Sequence, residues 1–272
     1  MSYVNLQDMF AAGMHFGHNA SRWNPKMSKF IHSNHNGVHI INLQKSLPMF
    51  NSSLDKIKKV IVSGGRVLFV GTKKQASDIV AEYAKKCGQY YINYRWLGGM
   101  LTNWKTVSLS INTLDKINKK IEEGMVGLTK KEQLQLTRER DKLEKSLGGI
   151  KKMGGIPDVI FVIDTSKEQI AIKEAKKLGI PVVGIVDTNG NPFEIDYPVP
   201  GNDDAIKAIE FYCDVVSSVI LSGIKEELSG KNVDLGESLE IDNLEEVPME
   251  FEAESVVELE KDNTVEEIEK KD

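Results

Sequence analysis

The sequence predicts an α/β fold: an open, doubly wound, mostly parallel sheet of the Rossmann or flavodoxin kind. Three observations carry this. Residues 67–70, 158–165 and 180–188 are short runs apolar nearly throughout, as strands covered on both faces are. Segments 73–87 and 167–178 follow two of these runs with apolar residues at helical spacing, which is the alternation of a layered α/β unit. Residues 105–147 interrupt that alternation with two narrow apolar stripes, which predict an inserted antiparallel coiled-coil hairpin rather than another crossover.

Taken in order, residues 5–12 read as a short helix, with Asn5 as its cap and Leu6, Met9 and Phe10 as its apolar face. The following stretch, to about residue 45, is too rich in turn formers to be one regular element. It reads as an arm that needs a surface to lie on. A helix is expected over residues 47–61, with Leu54, Ile57 and Ile61 on one side and Gly64 and Gly65 ending it. The first strand, VLFV at 67–70, leads through Gly71 and Thr72 into a helix over 73–87. In the insertion, Val107, Ile111, Leu114 and Ile121 mark one helix, and Leu136, Leu143 and Leu147 mark its partner. GMVG at 124–127 breaks the first, Thr129 with Glu132 makes a capping box for the second, and Gly148 and Gly149 close the base. Two further strands follow, then a last helix over 203–222 with Asp203 and Asp204 in its first turn. The expected division is 1–45 for a helix and basic arm, 46–104 and 150–224 for the α/β core, 105–149 for the hairpin, and 225–272 for an acidic tail.

Charge is segregated along the chain. The formal net charge is -5, yet residues 225–272 carry 5 basic and 18 acidic side chains, and residues 1–100 carry 13 basic and 4 acidic ones. So acidic a tail repels itself and has little to bury, so disorder is expected there; the basic end suits a polyanion. The 2 cysteines, Cys87 and Cys213, lie in separate helical patterns, as buried thiols of a reducing compartment do. No run of apolar residues is long enough to span a bilayer, and MSYVNLQDMF has no secretory pattern, so a soluble cytoplasmic protein with no membrane partner is expected.

The first third interleaves cations with aromatic rings, at Arg22, Trp23, Lys26, Lys29 and Phe30, and again at Tyr90, Tyr91, Tyr94, Arg95 and Trp96. Arginine meets phosphate with paired hydrogen bonds, while a ring stacks on a base or braces a loop. Arg22, Lys26, Lys29, Lys45 and Arg95 are therefore candidate phosphate contacts, with Trp23 and Trp96 as supports. Lys73 and Lys74 open a helix after a strand, where free N–H groups hold an anion. All 5 histidines precede residue 40; His15 and His18 are read as loop-ordering or RNA-facing, since neither cysteine is near enough to complete an ordinary zinc set, and no metal or cofactor is assigned.

Two other readings stay open on the residues alone. A nucleotide- or sugar-phosphate-dependent enzyme would use the strand ends at Gly71, Asp164 and Asp187, although no complete Gly-rich nucleotide motif and no nucleophile elbow is present. A protein-docking module would rely on the hairpin and the acidic tail.

Several long words in fixed order resemble one family. They are AGMHFGHNASRWNPKM at 12–27, NGVHIINLQKS at 36–46, VLFVGTKKQA at 67–76, RWLGGMLTNWKT at 95–106, LGGIKKMGGIPDVIFVIDT at 147–165, KEAKKLGIPVVGIVDTN at 173–189 and PGNDDAIKAI at 200–209. Together they resemble the second protein of the small ribosomal subunit, in its bacterial and organellar form, over residues 2–224. That resemblance implies a non-enzymatic protein between head and body of the small subunit, touching its ribosomal RNA and neighbouring ribosomal proteins, and recruiting the large messenger-RNA-binding ribosomal protein. It does not imply an obligate homo-oligomer. By position it makes Arg22–Met27, Arg95–Thr106 and the hairpin contact elements, adding Lys105 as a phosphate contact and Asn24, Asn103 and Trp104 as supports. The chain departs from the family pattern at Asn19, Ala20, Ser21, Trp104 and Thr165, where glutamine, threonine, a basic residue, phenylalanine and proline are expected. Ser21 removes one expected cation, and Thr165 turns a rigid corner into a hydroxyl-bearing one.

Overall fold

Strand residues alternate between two apolar layers, and that alternation organises the molecule. The computed structural model describes residues 3–125 and 127–230. Helix α1 (Leu6–Ala11) is followed by β1 (Phe16–Asn19), β2 (Ile31–His35), β3 (Val38–Ile41) and α2 (Leu43–Val62). Then come β4 (Val67–Val70), α3 (Ser77–Lys86), β5 (Tyr90–Ile92), α4 (Trp104–Glu122) and α5 (Lys130–Leu147). The chain continues through β6 (Val159–Val162), α6 (Gln169–Lys177), β7 (Val182–Val186), β8 (Tyr197–Pro200) and α7 (Ile206–Gly230).

The main sheet runs β5-β4-β6-β7-β8 and every neighbouring pair is parallel, as the sequence predicts. Val67, Phe69, Val159, Phe161, Val183 and Ile185 point to one face, where α2, α3 and α7 cover them. Leu68, Val70, Ile160, Val162, Val182 and Val186 point to the other, beneath α6, Trp96, Met100, Leu101 and Ile150. Both layers exclude water, so the strands need no polar side chain, and their apolar runs follow.

Helices α4 and α5 pack on each other. Ile111, Leu114 and Leu147 are buried between or beneath them, Val107, Ile121, Leu136 and Leu143 are half-buried, and Ile117 adds a buried position absent from the expected stripe. The capping box forms as expected: Glu132 accepts from the Thr129 N–H at 2.8 Å, and the Glu132 N–H donates to Thr129 Oγ1 at 3.4 Å. Gly149 lies so close to β5 that a Cβ there would stand 2.1 Å from the Tyr91 carbonyl oxygen, which fixes the base of the insertion.

Several boundaries differ from expectation. Helix α2 starts at Leu43, because the Asn42 side chain accepts the Gln44 N–H, and Pro48 lies inside it. Helix α3 starts at Ser77, since residues 73–76 form a turn. Asp203 and Asp204 precede α7 instead of forming its first turn; Asn202 Oδ1 accepts the N–H groups of Asp204 and Ala205 at 2.8 and 3.1 Å. Residues 225–230 of the expected tail are the last part of α7, and residues 231–272 lie outside the described residues. Cys87 and Cys213 are free and buried; burial pushes the Cys87 thiol up to about 11 and raises Cys213 further.

Candidate functional site

The arm is a small sheet of its own, in the order β1-β3-β2, antiparallel throughout. Asn36 and Gly37 join β2 to β3 with φ of 49° and 80°, the two positive values a tight hairpin turn requires. Asn19, Asn24 and Asn42 each accept the N–H two residues on, which bends the chain at 3 places without any core to fold against.

This sheet is pinned to the carboxyl edge of the main one. The His18 N–H donates to Thr188 Oγ1 at 2.9 Å, and the Asn24 N–H to the Thr188 carbonyl at 2.7 Å. Asn202 donates its N–H to the Met14 carbonyl at 3.0 Å and its side-chain amide to the Gly13 carbonyl at 3.2 Å. Gly17 permits the approach, since a Cβ there would meet Thr188 Cγ2 at 2.5 Å. Met14 and Met27 are buried beneath the arm, while Arg22, Lys26, Lys29 and Lys45 are exposed on it. Lys45 Nζ donates to the Lys29 carbonyl at 2.6 Å and so stays close to that part of the arm. His15 stacks on Phe10 at 4.3 Å and touches Phe16 at 4.0 Å, and burial lowers its pKa. Trp23 lies half out of the surface beside His39.

A second element, residues 95–105, is held from below by one carboxylate. Glu174 of α6 is 8 % exposed and accepts from the N–H groups of Gly99 (2.7 Å), Leu101 (3.0 Å) and Thr102 (3.1 Å), from the Thr102 hydroxyl, and from Trp96 Nε1 (3.2 Å). Burial alone would raise its pKa, but the donors of Leu101, Thr102, Gly99 and Trp96 outweigh it and hold the carboxyl below its ordinary value. With the loop so fixed, Arg95 and Lys105 are exposed at its ends, Trp104 is half-buried and Asn103 accepts from the Thr106 hydroxyl at 2.9 Å. Glu174 was missed in the sequence. The signal existed: a charge beside Ala171, Ile172 and Ala175 on the buried side of a helix needs buried donors.

The crevice where an open α/β sheet takes ligands lies between β4 and β6, where the crossovers diverge. Here the protein fills it. Thr72 donates both its N–H, at 3.3 Å, and its hydroxyl to Glu168, and Lys167 Nζ donates to the Thr72 carbonyl at 2.9 Å. Lys73, expected to face phosphate, turns inward instead: its ammonium lies 2.5 Å from Asp204, 2.8 Å from Asp203 and 3.5 Å from Asp164. Burial would lower the Lys73 pKa, but these carboxylates reverse that and raise it, so the charge is kept and already matched. Nothing local in VGTKK foretells this, because Asp203 lies 130 residues further on and Asp164 and Asp204 are also far along the chain.

His18 joins the same network from the arm. Its Nδ1 lies 2.9 Å from Asp187 and its Nε2 3.1 Å from Asp204. The Nδ1 contact is close enough for an ion pair without the alignment of a hydrogen bond. The Asp187 contact outweighs burial and, with the charges of Asp203 and Asp204, raises His18 to about 9. Burial, with Asp187 and Asp164 nearby, raises Asp203 to about 7 against the pull of Lys73. A cleft of about 280 Å³ remains beside this network, and its charged lining residues are Lys26 and Glu194, among the amides of Asn24, Gln169, Asn189 and Asn191.

Arg22, Lys26, Lys29, Lys45, Lys74, Arg95 and Lys105 are all exposed, and none forms an ion pair among the described residues. No helix among those residues is long and apolar enough to cross a membrane.

A family model described as Ribosomal protein S2 matches residues 9–223. The small ribosomal subunit protein uS2 of Paramagnetospirillum magneticum is 54% identical over 252 residues, covering 92% of this chain and 95% of the relative. That of Parvibaculum lavamentivorans is 56% identical over 236 residues, 87% of this chain and 93% of its own. That of Gluconobacter oxydans is 54% identical over 241 residues, 89% and 91% of the two chains. Identity of this extent along nearly the whole length of each relative, on a fold whose ligand crevice is filled by its own side chains, has one reading: the chain belongs to the ribosomal protein S2 family.

Proposed function

We propose that this chain is a structural, non-enzymatic constituent of the small ribosomal subunit in the cytoplasm, and that it binds ribosomal RNA through its arm and the 95–105 loop. The observation that carries the reading is the set of exposed cations, without an ion pair among the described residues, on two elements that are tightly tied down, with Lys74 beside them in the turn after β4. Fixed cations neutralise phosphates without losing much freedom on binding, and released counterions favour the complex. Arg22, Lys26, Lys29, Lys45, Lys74, Arg95 and Lys105 meet phosphate; Lys73 is withdrawn from that set because Asp203 and Asp204 hold it. Trp23 is exposed enough to meet a base, whereas Trp96, with its N–H on Glu174, braces the loop. His15, Asn24, Asn103 and Trp104 support these contacts from within the arm and loop.

The hairpin serves protein neighbours. Leu109 and Leu134 are 61% and 52% exposed on it and offer a neighbouring protein apolar contact. Recruitment of the large messenger-RNA-binding ribosomal protein, at a position between head and body, follows from the family resemblance.

Sedimentation tests the reading. Native chain is expected to travel with small-subunit particles at low salt, and to be freed both by nuclease and by high salt. A chain that stays in the supernatant at low salt, or remains particle-bound after complete RNA digestion, contradicts RNA attachment.

A further inference from the structure

We propose that His18, Asp187, Asp203 and Asp204 bind one divalent transition-metal cation, of the zinc or manganese kind, which clamps the arm to the carboxyl edge of the sheet. The 4 residues come from β1, the end of β7 and the loop before α7, and each offers one ligand atom within 4.8 Å of the others. One imidazole nitrogen and three carboxylate oxygens suit a borderline cation better than magnesium, which prefers oxygen and water alone.

Charge balance asks for such an ion. Among the described residues, the cations that form ion pairs with Asp164, Asp187, Asp203 and Asp204 are Lys73 and His18. Four carboxyl groups therefore share two cationic side chains, in a basin where Asp187 and Asp203 are each 1% exposed at the side chain. Excess charge of one sign is costly where water is scarce. A divalent cation seated among these carboxylates supplies positive charge where it is short.

A second observation is independent of the carboxylates. The Tyr212 hydroxyl is fully buried and has no hydrogen-bond partner among the described residues. It packs on Gly201, just before Asp203, within range of the charges of Asp187 and Asp203. A buried O–H without an acceptor, beside Gly201 and so two residues along the chain from Asp203, is a group that a water carried by the bound cation would satisfy. His18 Nδ1 is itself buried and lies 2.9 Å from Asp187 Oδ2, so that an ion bound there would take both atoms as ligands.

Lys73 competes for this site, since its ammonium already rests on Asp203 and Asp204. That makes the proposal testable in both directions. The full chain, stripped with a chelator and checked by circular dichroism, is titrated calorimetrically with Zn²⁺ alone and, separately, Mg²⁺ alone. One Zn²⁺ per chain is expected to bind, with Mg²⁺ weaker by about a hundredfold or more, and melting temperature should rise with Zn²⁺ concentration. His18→Ala and the half-exposed Asp204→Asn should each weaken Zn²⁺ by roughly 10- to 100-fold, whereas Lys73→Gln should tighten it. Changing the exposed pair His32 and His35 to alanine should alter nothing. Should His18→Ala lose its fold, Co²⁺ added to the unaltered chain gives a second reading: visible bands of a low-symmetry nitrogen and oxygen site support the proposal, and the spectrum of hexaaqua Co²⁺ opposes it. The proposal is overturned by absent or unsaturable binding, by binding that survives His18→Ala and Asp204→Asn, by loss of binding in the His32/His35 variant, by Mg²⁺ equalling Zn²⁺, or by weaker binding in Lys73→Gln.

Discussion

Leu114→Asp is expected to separate α4 from α5 while leaving the α/β core folded. Leu114 is 0% exposed, between Ile111 and Ile117 on the buried stripe of α4. Its removal forfeits the transfer energy of a buried leucine, and the new carboxylate would sit in an apolar seam; the two together cost about 3–5 kcal/mol. Since about 1.4 kcal/mol is a factor of ten, amide exchange in α4 and α5 should quicken by roughly a hundred- to a few thousandfold. Exchange in β4, β6 and β7 should change far less, because Leu114 belongs to neither layer and the hairpin joins one of them at its base, through Ile111 and Leu147. If the hairpin serves protein neighbours, the same variant should enter small-subunit particles poorly. Normal incorporation alongside a disrupted hairpin would remove that role.

Glu174→Gln should destabilise the chain nearly as much, through a change of a single atom. The carboxylate accepts on both oxygens: Gly99 and Trp96 meet one, Leu101 and Thr102 the other. An amide turns one acceptor into a donor, so at least one pair of buried N–H groups faces another N–H, at roughly 2–5 kcal/mol. For a domain of this size, that lowers the melting temperature by about 5–15 °C. The sign of the pH dependence follows as well. The folded carboxyl has its pKa depressed below 4.5, so its contribution is fully present above that value and is lost as pH falls through the folded one. The wild-type advantage over Glu174→Gln should therefore shrink in acid; a constant difference from pH 7 to 3 would assign Glu174 no such role.

How much of this was legible depended on whether the cause was local. The central strands were readable because burial on both faces writes itself as an apolar run, as in VIFV at 159–162. The edge strands were not: β5 has 3 residues, and β8 contains Pro198 and Pro200, which suit an edge and mask a strand. The arm was read as irregular because its order comes from Thr188 and Asn202, far along the chain, rather than from a core of its own. Even so, Asn36-Gly37 between short extended segments was a hairpin signal in plain view. Lys73 shows the opposite limit: following a strand, it suits an anion on local grounds, yet its direction is set by aspartates that no local pattern announces.

The salt dependence of binding to small subunits lacking this protein tests the central claim most directly. If 6 phosphates are neutralised, affinity of the wild-type chain should fall by roughly a thousandfold between about 50 and 200 mM salt. The Arg22→Gln, Lys26→Gln, Lys29→Gln triple variant should bind more weakly at low salt and lose only about fortyfold over that range. An affinity and a salt slope identical to wild type would mean that the arm does not meet phosphate.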